Sequence, residues 1–382
     1  MKIGLLGPAH PLRGGISQYL ALLAGELARE HHEVHYLSLL RQYPSFLFPG
    51  QSQIDPSENP LRVPNERVLD PMNPLTWRSA GRRARALGLA ALVYKWWMPF
   101  FGPSYAPVLG GARRGGAVNV MIADNLVPHE KRPFDRAFTR LVLDRTDGYL
   151  VMSKAVEDDL LKLVPGARFR RVPHPVYAQY AAEGRDRGDA RRRAGLPPDG
   201  DVLLFFGFVR RYKGLDVLIE ALPRVLARRP VTLVVAGEFY EPVEPVRARI
   251  AELGLGESVR VLDRYVPDED VGDLVAAADL VVLPYRSATQ SGVVQVAYAG
   301  GCPVVSTAVG GLPEVVFEGR TGHLVPPERP DALADAILGF FDRGGRAAYE
   351  PAVREAARAF SWGRVVEGLT ELVAELRAGK AA

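Results

Sequence analysis

The chain has a single cysteine, Cys302, among its 382 residues. That excludes an intramolecular disulfide and any cysteine-rich metal site, and it fits a reducing compartment. No apolar run approaches the roughly 18 residues of a membrane-spanning helix. The opening MKIGLLG is a short strand without the apolar run and cleavage site of a secretory signal, so a cytoplasmic location is expected. Lysine is scarce too: only seven of the 48 basic residues are lysines. The rest are arginines, whose planar fork suits phosphate but whose abundance is equally a compositional habit. The dinucleotide fingerprint GxGxxG is missing, which argues against an NAD-linked oxidoreductase.

What is present is ordinary for a soluble globular protein: 47% hydrophobic and 24% charged residues, with a basic excess of 48 − 44 = 4. So small an excess permits anionic substrates or a membrane surface without demanding either. The length suggests two domains. Lys2 to Leu6, Gly7 to Gly15 and Ile16 to Arg29 read as strand, glycine turn and helix, with Val34 to Leu39 as the next strand. Gly14 and Gly15 would let backbone approach a ligand at the sheet's carboxyl edge, or merely make a tight turn. Tyr43 to Pro74 reads as a long irregular loop. A basic helix is expected over Trp77 to Leu89, its arginines fitting either a solvated face or anionic lipid. LVYKWWMPFF (Leu92 to Phe101) is better read as a core strand ending in an aromatic loop than as a membrane contact. Strands at Asn119 to Ala123, Gly148 to Met152 and Phe169 to Val172 alternate with helices at Arg136 to Arg145 and Lys154 to Val164. Ala178 to Gly200 reads as a polar hinge or linker.

The second half repeats the alternation, with strands at 202–206, 232–236, 259–262, 279–284 and 304–306 and helices between and after them. This pattern predicts doubly wound parallel sheets. In Tyr285 to Glu314, a buried strand runs through a small polar turn into a helix beginning near Ser291 and Gly292. Unpaired N–H groups there suit an anion such as phosphate. Lys213, with Arg210 or Arg211 before it, lies in a loop at the carboxyl edge, where fixed cations would stabilise a departing diphosphate. His129 follows a strand in the first half and is placed to bond a sugar hydroxyl or take a proton, with Asp124 able to share that role. Asp268, Glu269 and Asp270 fit a helix start better than a metal site.

FFGFVRRYKGLDVLIEAL (Phe205 to Leu222), DRYVPDEDVGDLVAAADLVVLPY (Asp263 to Tyr285) and SGVVQVAYAGGCPVVSTAVGGLPEVVFEGRTGHLV (Ser291 to Val325) resemble the donor half of a family 4 glycosyltransferase. PLRGGISQYL, DNLVPHEKRP and VPHPV resemble the same family more weakly. The resemblance implies a GT-B α/β fold: two Rossmann-like domains facing a cleft, with the C-terminal helix crossing back to the first. Residues 1–178 with 362–382 would bind the acceptor, and residues 179–361 the nucleotide-sugar donor. Closure about the Val172 to Gly200 hinge would expel water from the site. A retaining hexosyl transfer from a UDP- or GDP-sugar to a carbohydrate or lipid-linked acceptor is implied, with no metal or other cofactor. No nucleic-acid partner is expected, and peripheral membrane contact is compatible with this reading.

By the same resemblance, His129, Asp124, Lys213 and Arg210 would serve catalysis. Gly14, Gly15, Arg211, Gln290, Ser291, Gly292 and Gln295 would hold substrate, with Tyr265 and Val266 at the base and His174 structural. Two departures stand out. Phe208 replaces the arginine that usually follows Gly207. Ala288 and Val296 occupy the places of the family's glutamate pair. The second departure keeps two alternatives open, a non-catalytic sugar-nucleotide-binding partner and a nucleotide-sugar epimerase or hydrolase.

Overall fold

The computed structural model describes residues 1–44, 46, 48, 50–126, 133–181 and 185–381. The chain forms two compact units, Met1–Pro56 with Pro60–Pro173 and Trp362–Ala382, and Ser57–Asn59 with His174–Ser361.

In chain order the first unit contains β1 (Lys2–Gly7), α1 (Gly15–Arg29), β2 (Glu33–Leu39), β3 (Glu66–Leu69), α2 (Pro74–Ala86), β4 (Ala91–Trp96), α3 (Gly102–Arg114), β5 (Val118–Ala123), α4 (Asp135–Leu143), β6 (Gly148–Val151), α5 (Lys154–Leu163) and β7 (Phe169–Arg171). The strands make one sheet in the order β3-β2-β1-β4-β5-β6-β7, parallel throughout. β4 and β5 are buried at every position, as a parallel sheet covered on both faces requires.

Three elements of this unit differ from the sequence expectation, each for a physical reason. The long loop after β2 is interrupted by β3, whose four residues ERVL are too few to carry a period. The basic helix starts at Pro74, where the Asn73 side chain accepts the Leu75 N–H at 3.1 Å. The aromatic stretch runs into α3, where the glycine- and proline-containing sequence GPSYAPVLGGARR suggests no element. Those glycines are a packing device: a Cβ on Gly111 would lie 2.0 Å from the Gly81 carbonyl oxygen, so α2 and α3 cross backbone to backbone.

The second unit contains α6 (Arg187–Arg193), β8 (Asp201–Phe206), α7 (Leu215–Leu226), β9 (Val231–Ala236), α8 (Glu244–Glu252), β10 (Val259–Leu262), α9 (Asp268–Ala277), β11 (Leu280–Leu283), α10 (Gly292–Ala299), β12 (Val304–Thr307), β13 (Gly322–Val325), α11 (Pro330–Asp342) and α12 (Gly345–Ala359). Its sheet order is β10-β9-β8-β11-β12-β13, again parallel. The stretch expected as a polar linker holds α6. Arg191 of that helix is buried against Asp279 at 3.0 Å and donates to the carbonyls of Ala277, Pro198 and Gly200. Charges that read as solvated are here an internal clasp, tolerable because the guanidinium is paired and hydrogen-bonded.

The last helix, α13 (Trp362–Ala381), belongs to the first unit. Val365, Val366, Leu369, Leu372, Val373 and Leu376 share its inner face and join the core built from β1, β4, β5, β6 and α1. No helix among the described residues is long and apolar enough to cross a membrane.

Candidate active site

The loop after β8 is shaped by three glycines. Gly207 has φ +95°, and a Cβ on it would come within 2.9 Å of Lys213 Nζ, so the missing side chain makes room for the ammonium. Gly237 packs on Gly207, where a Cβ would fall 2.2 Å from the Gly207 carbonyl oxygen. Gly214, at φ +68°, closes the 3-10 turn Arg211–Lys213 and would place a Cβ 2.0 Å from the Pro284 carbonyl. The loop is thereby pressed onto the end of β11. Arg286 fixes it there: the Arg286 N–H donates to the Tyr212 carbonyl at 2.7 Å, its guanidinium to the Arg211 carbonyl at 2.8 Å, and it pairs with Asp216 at 2.6 Å.

Lys213 is buried and forms no ion pair among the described residues. Its Nζ lies 5.7 Å from the Tyr285 ring centroid. Burial, then the neighbouring charge of Arg210, lowers its pKa to about 7. Arg210 itself lies 5.0 Å over the Tyr240 ring. The Arg211 N–H is taken by Glu241 at 2.9 Å, which leaves the exposed Arg211 side chain on a fixed backbone.

The polar turn from Ala288 to Ser291 leads into α10. Ser291 occupies the N-cap without its side chain accepting from the helix's amide groups, and the first turn has no acidic residue, so no carboxylate of the helix itself offsets its backbone donors and dipole. A Cβ on Gly292 would lie 3.6 Å from the Tyr177 ring and 3.8 Å from His174 Nε2. His174 Nδ1 is 3.0 Å from the Pro175 carbonyl and its Nε2 is 3.4 Å from the Tyr177 hydroxyl. The second glycine turn closes against the first, since Gly310 (φ +53°) would carry a Cβ 1.4 Å from the Ala288 carbonyl oxygen. Ala288 and Val296 are buried and apolar. Gln295, only 1% exposed, has neither amide oxygen nor nitrogen hydrogen-bonded among the described residues, an unmet demand that costs free energy unless a ligand meets it. Gln290 is half-buried in the same turn.

Beside this, at the ends of β8, β9 and β10, stand three half-buried aromatic rings. Phe208 stacks on Tyr240 at 4.7 Å and meets Tyr265 at 6.1 Å. Val266 is buried next to Tyr265. The sequence places Tyr265 and Val266 at the base and marks Phe208 only as a departure from the usual arginine, while Tyr240 carries no expectation. The signal was available, an aromatic within three residues of the glycine that ends β8 and of the one that ends β9. The three acidic residues opening α9 are individually engaged: Asp268 accepts from Tyr180 at 2.9 Å, Glu269 from the Glu58 N–H at 3.1 Å, and Asp270 pairs with Arg264 at 3.0 Å.

In the first unit, Gly14 is the N-cap of α1 at φ +106°, with open space where a Cβ would point, and Gly15 begins the helix. Asp124 follows β5 and its carboxylate lies 2.7 Å from Nζ of Lys95. Lys95 is buried in β4, with its ammonium 3.5 Å from the Tyr19 ring centroid. Burial lowers the Lys95 pKa and Asp124 pulls the other way. Asp124 is therefore an ion-pair partner, and the lysine inside the apolar run LVYKWW is the member that sequence reasoning missed. His129 lies outside the described residues.

Residues 200–343 match the family model described as glycosyl transferases group 1. A D-inositol 3-phosphate glycosyltransferase of Catenulispora acidiphila is 37% identical over 232 residues, 58% of this chain and 55% of that protein. One from Actinosynnema mirum is 38% identical over 211 residues, 50% and 48% of the two chains. The chain thus spans about half the length of the curated relatives it matches. Among solved structures, sucrose-phosphate synthase from Thermosynechococcus elongatus superposes with a TM-score of 0.76 at 20% identity, covering 99% of this chain and all of that one. Anabaena HepE in complex with UDP superposes with a TM-score of 0.75 at 20% identity, covering 98% of this chain and 100% of its own. The two parallel-sheet units have the GT-B fold that the resemblance implied.

Proposed function

We propose that the chain, whose residues 200–343 match the glycosyl transferases group 1 model, is a transferase of that family and moves a hexosyl group from a UDP- or GDP-sugar to a carbohydrate or lipid-linked acceptor. It does so with retention of configuration, without a metal, in the cytoplasm. The observation that carries this reading is Lys213, a buried ammonium with no ion pair among the described residues, on the same sheet edge as the open amino end of α10. Together they offer a cation and oriented N–H donors to the diphosphate whose charge grows as the glycosidic bond breaks. Arg210 and Arg211 supply further positive charge from the same loop. The proposed base shelf is Phe208, Tyr240 and Tyr265 with the backbone at Val266, and Gln295 with Gln290 offers amide groups to ribose or sugar hydroxyls in place of the glutamate pair. The carriage of UDP by HepE and the naming of the curated relatives as glycosyltransferases support a nucleotide-sugar donor. In the first unit the Gly14-Gly15 amino end of α1 and Asp124, held by Lys95, are the proposed acceptor side, with His129 as the proposed proton acceptor.

The apolar Ala288 and Val296 favour one second reading, a sugar-nucleotide-binding partner without turnover. Release of nucleoside diphosphate from a panel of UDP- and GDP-sugars, with and without cell extract as acceptor, separates the readings. Acceptor-dependent release is expected, and Lys213→Ala should lower it on the order of 10²–10³-fold. Donor binding by calorimetry with the donor recovered unchanged under every condition would leave the non-catalytic reading, release in buffer alone would mark a hydrolase, and conversion of the donor's sugar in buffer without release would mark an epimerase.

A further inference from the structure

The α2 helix of the first unit, PLTWRSAGRRARA, carries arginines and no acidic residue. Arg83 is held by Glu66 through two hydrogen bonds of 2.8 Å. Arg78, Arg82 and Arg85 are exposed and form no ion pair among the described residues. At about 100° per residue, Leu75, Arg78, Arg82 and Arg85 fall within one sector roughly 80° wide. Ala80 and Ala84 are buried on the opposite side, and Gly81, buried between them and the stripe, meets α3.

The amino end of this stripe is apolar and open to water, with Leu75 73% exposed, Met72 46% and Leu40 40%. Leu40 is tied to the same end, its N–H donating to the Leu69 carbonyl at 2.8 Å. The carboxylate nearby, Asp70, is paired with Arg41 at 2.9 Å and accepts the Met72 N–H at 2.9 Å, so it does not offset the stripe.

We propose that this face of α2 docks on an anionic phospholipid surface, with Met72 and Leu75 entering the headgroup boundary and Arg78, Arg82 and Arg85 meeting lipid phosphates. A merely solvated basic face accounts for the arginines but not for large apolar side chains left in water at its end. A soluble polyanion would satisfy the charges and leave those side chains exposed. An anionic bilayer takes both. Each arginine near such a surface is worth about fivefold in partition, so the three together account for on the order of 100-fold.

The full chain should sediment with vesicles of phosphatidylcholine mixed equally with phosphatidylglycerol, and not with phosphatidylcholine alone. The R78Q/R82Q/R85Q variant should lose about 100-fold in partition, and Met72→Ser with Leu75→Ser should weaken binding in low and high salt alike. All five side chains are exposed, so the far-ultraviolet circular dichroism and melting of both variants should match the parent. The proposal is overturned if the parent stays in the supernatant with the mixed vesicles, or if the triple variant binds as the parent does. Vesicle binding unaffected by the serine changes would also overturn it, because charge alone would then account for the binding and neither apolar side chain would enter the headgroup boundary. Nucleoside diphosphate release into a soluble acceptor does not depend on any of these outcomes, so the transferase reading stands or falls separately.

Discussion

Lys213 is the residue at which burial and chemistry meet. An ammonium removed from water prefers to lose its proton, and here burial and Arg210 bring its pKa from 10.5 to about 7. A diphosphate beside it would reverse that, because the anion stabilises the charged form. As pH rises through about 7 the free site loses its positive charge, so nucleoside diphosphate affinity should weaken above that pH, and binding there should take up a proton. Calorimetry at mildly alkaline pH in two buffers of different ionisation enthalpy should register uptake approaching one proton per site, abolished by Lys213→Gln. Equal heats in the two buffers would remove Lys213 from the anion site. In the ligand-free protein the folded pKa lies below the unfolded value. The unfolded chain therefore holds the extra proton between about 7 and 10.5, and this group's contribution to stability rises with pH across that window.

The element that holds Lys213 in place is the turn closed by Gly214. Two glycines of the second unit share the same backbone twist, Gly214 and Gly254, both at φ +68°. Only the first is crowded: a Cβ there would lie 2.0 Å from the Pro284 carbonyl oxygen, whereas one on Gly254 would meet nothing within 4 Å. Gly254→Ala should cost about 1 kcal/mol, the backbone strain alone. Gly214→Ala should cost roughly 1–3 kcal/mol more in urea unfolding and weaken nucleoside diphosphate binding as Lys213 shifts. Equal losses at the two positions would mean that the loop yields freely and does not position the lysine. Elements of this kind were legible where the chain used strong patterns. The strands β8, β9 and β11 are apolar runs bounded by glycine or proline, and the turn into α10 is bounded by small residues. They were illegible where glycine served packing instead of turning, as in α3, and where buried arginine looked like a solvated linker, as in α6. The Lys95–Asp124 pair was hidden for a related reason: a lysine in an apolar strand declares itself only when the carboxylate facing it, from the next strand's end, is known.

At the scale of the whole molecule, alternation of strand and helix was enough to foresee two doubly wound sheets, and the apolar period of the last helix was enough to foresee that it packs on a core. That it joins the first unit's core followed from the family resemblance and not from the period, because the contacts are with strands more than 200 residues earlier, such as the Gly148 of β6, where a Cβ would come 2.6 Å from Leu376. The six inner residues of α13 are almost wholly buried in the first unit. At about 1.5–3 kcal/mol for each such side chain, their burial contributes on the order of 10 kcal/mol, as much as the net stability of a typical domain, about 5–15 kcal/mol. The first unit is therefore not a unit without the end of the chain. Deletion of residues 362–382 should strip hydrogen-exchange protection from the amides of β1, β4 and β5, whereas β8, β9 and β11, whose core is built within residues 203–349, should keep theirs. Protection retained in β4 and β5 after the deletion would show that the helix only covers a core already able to stand alone.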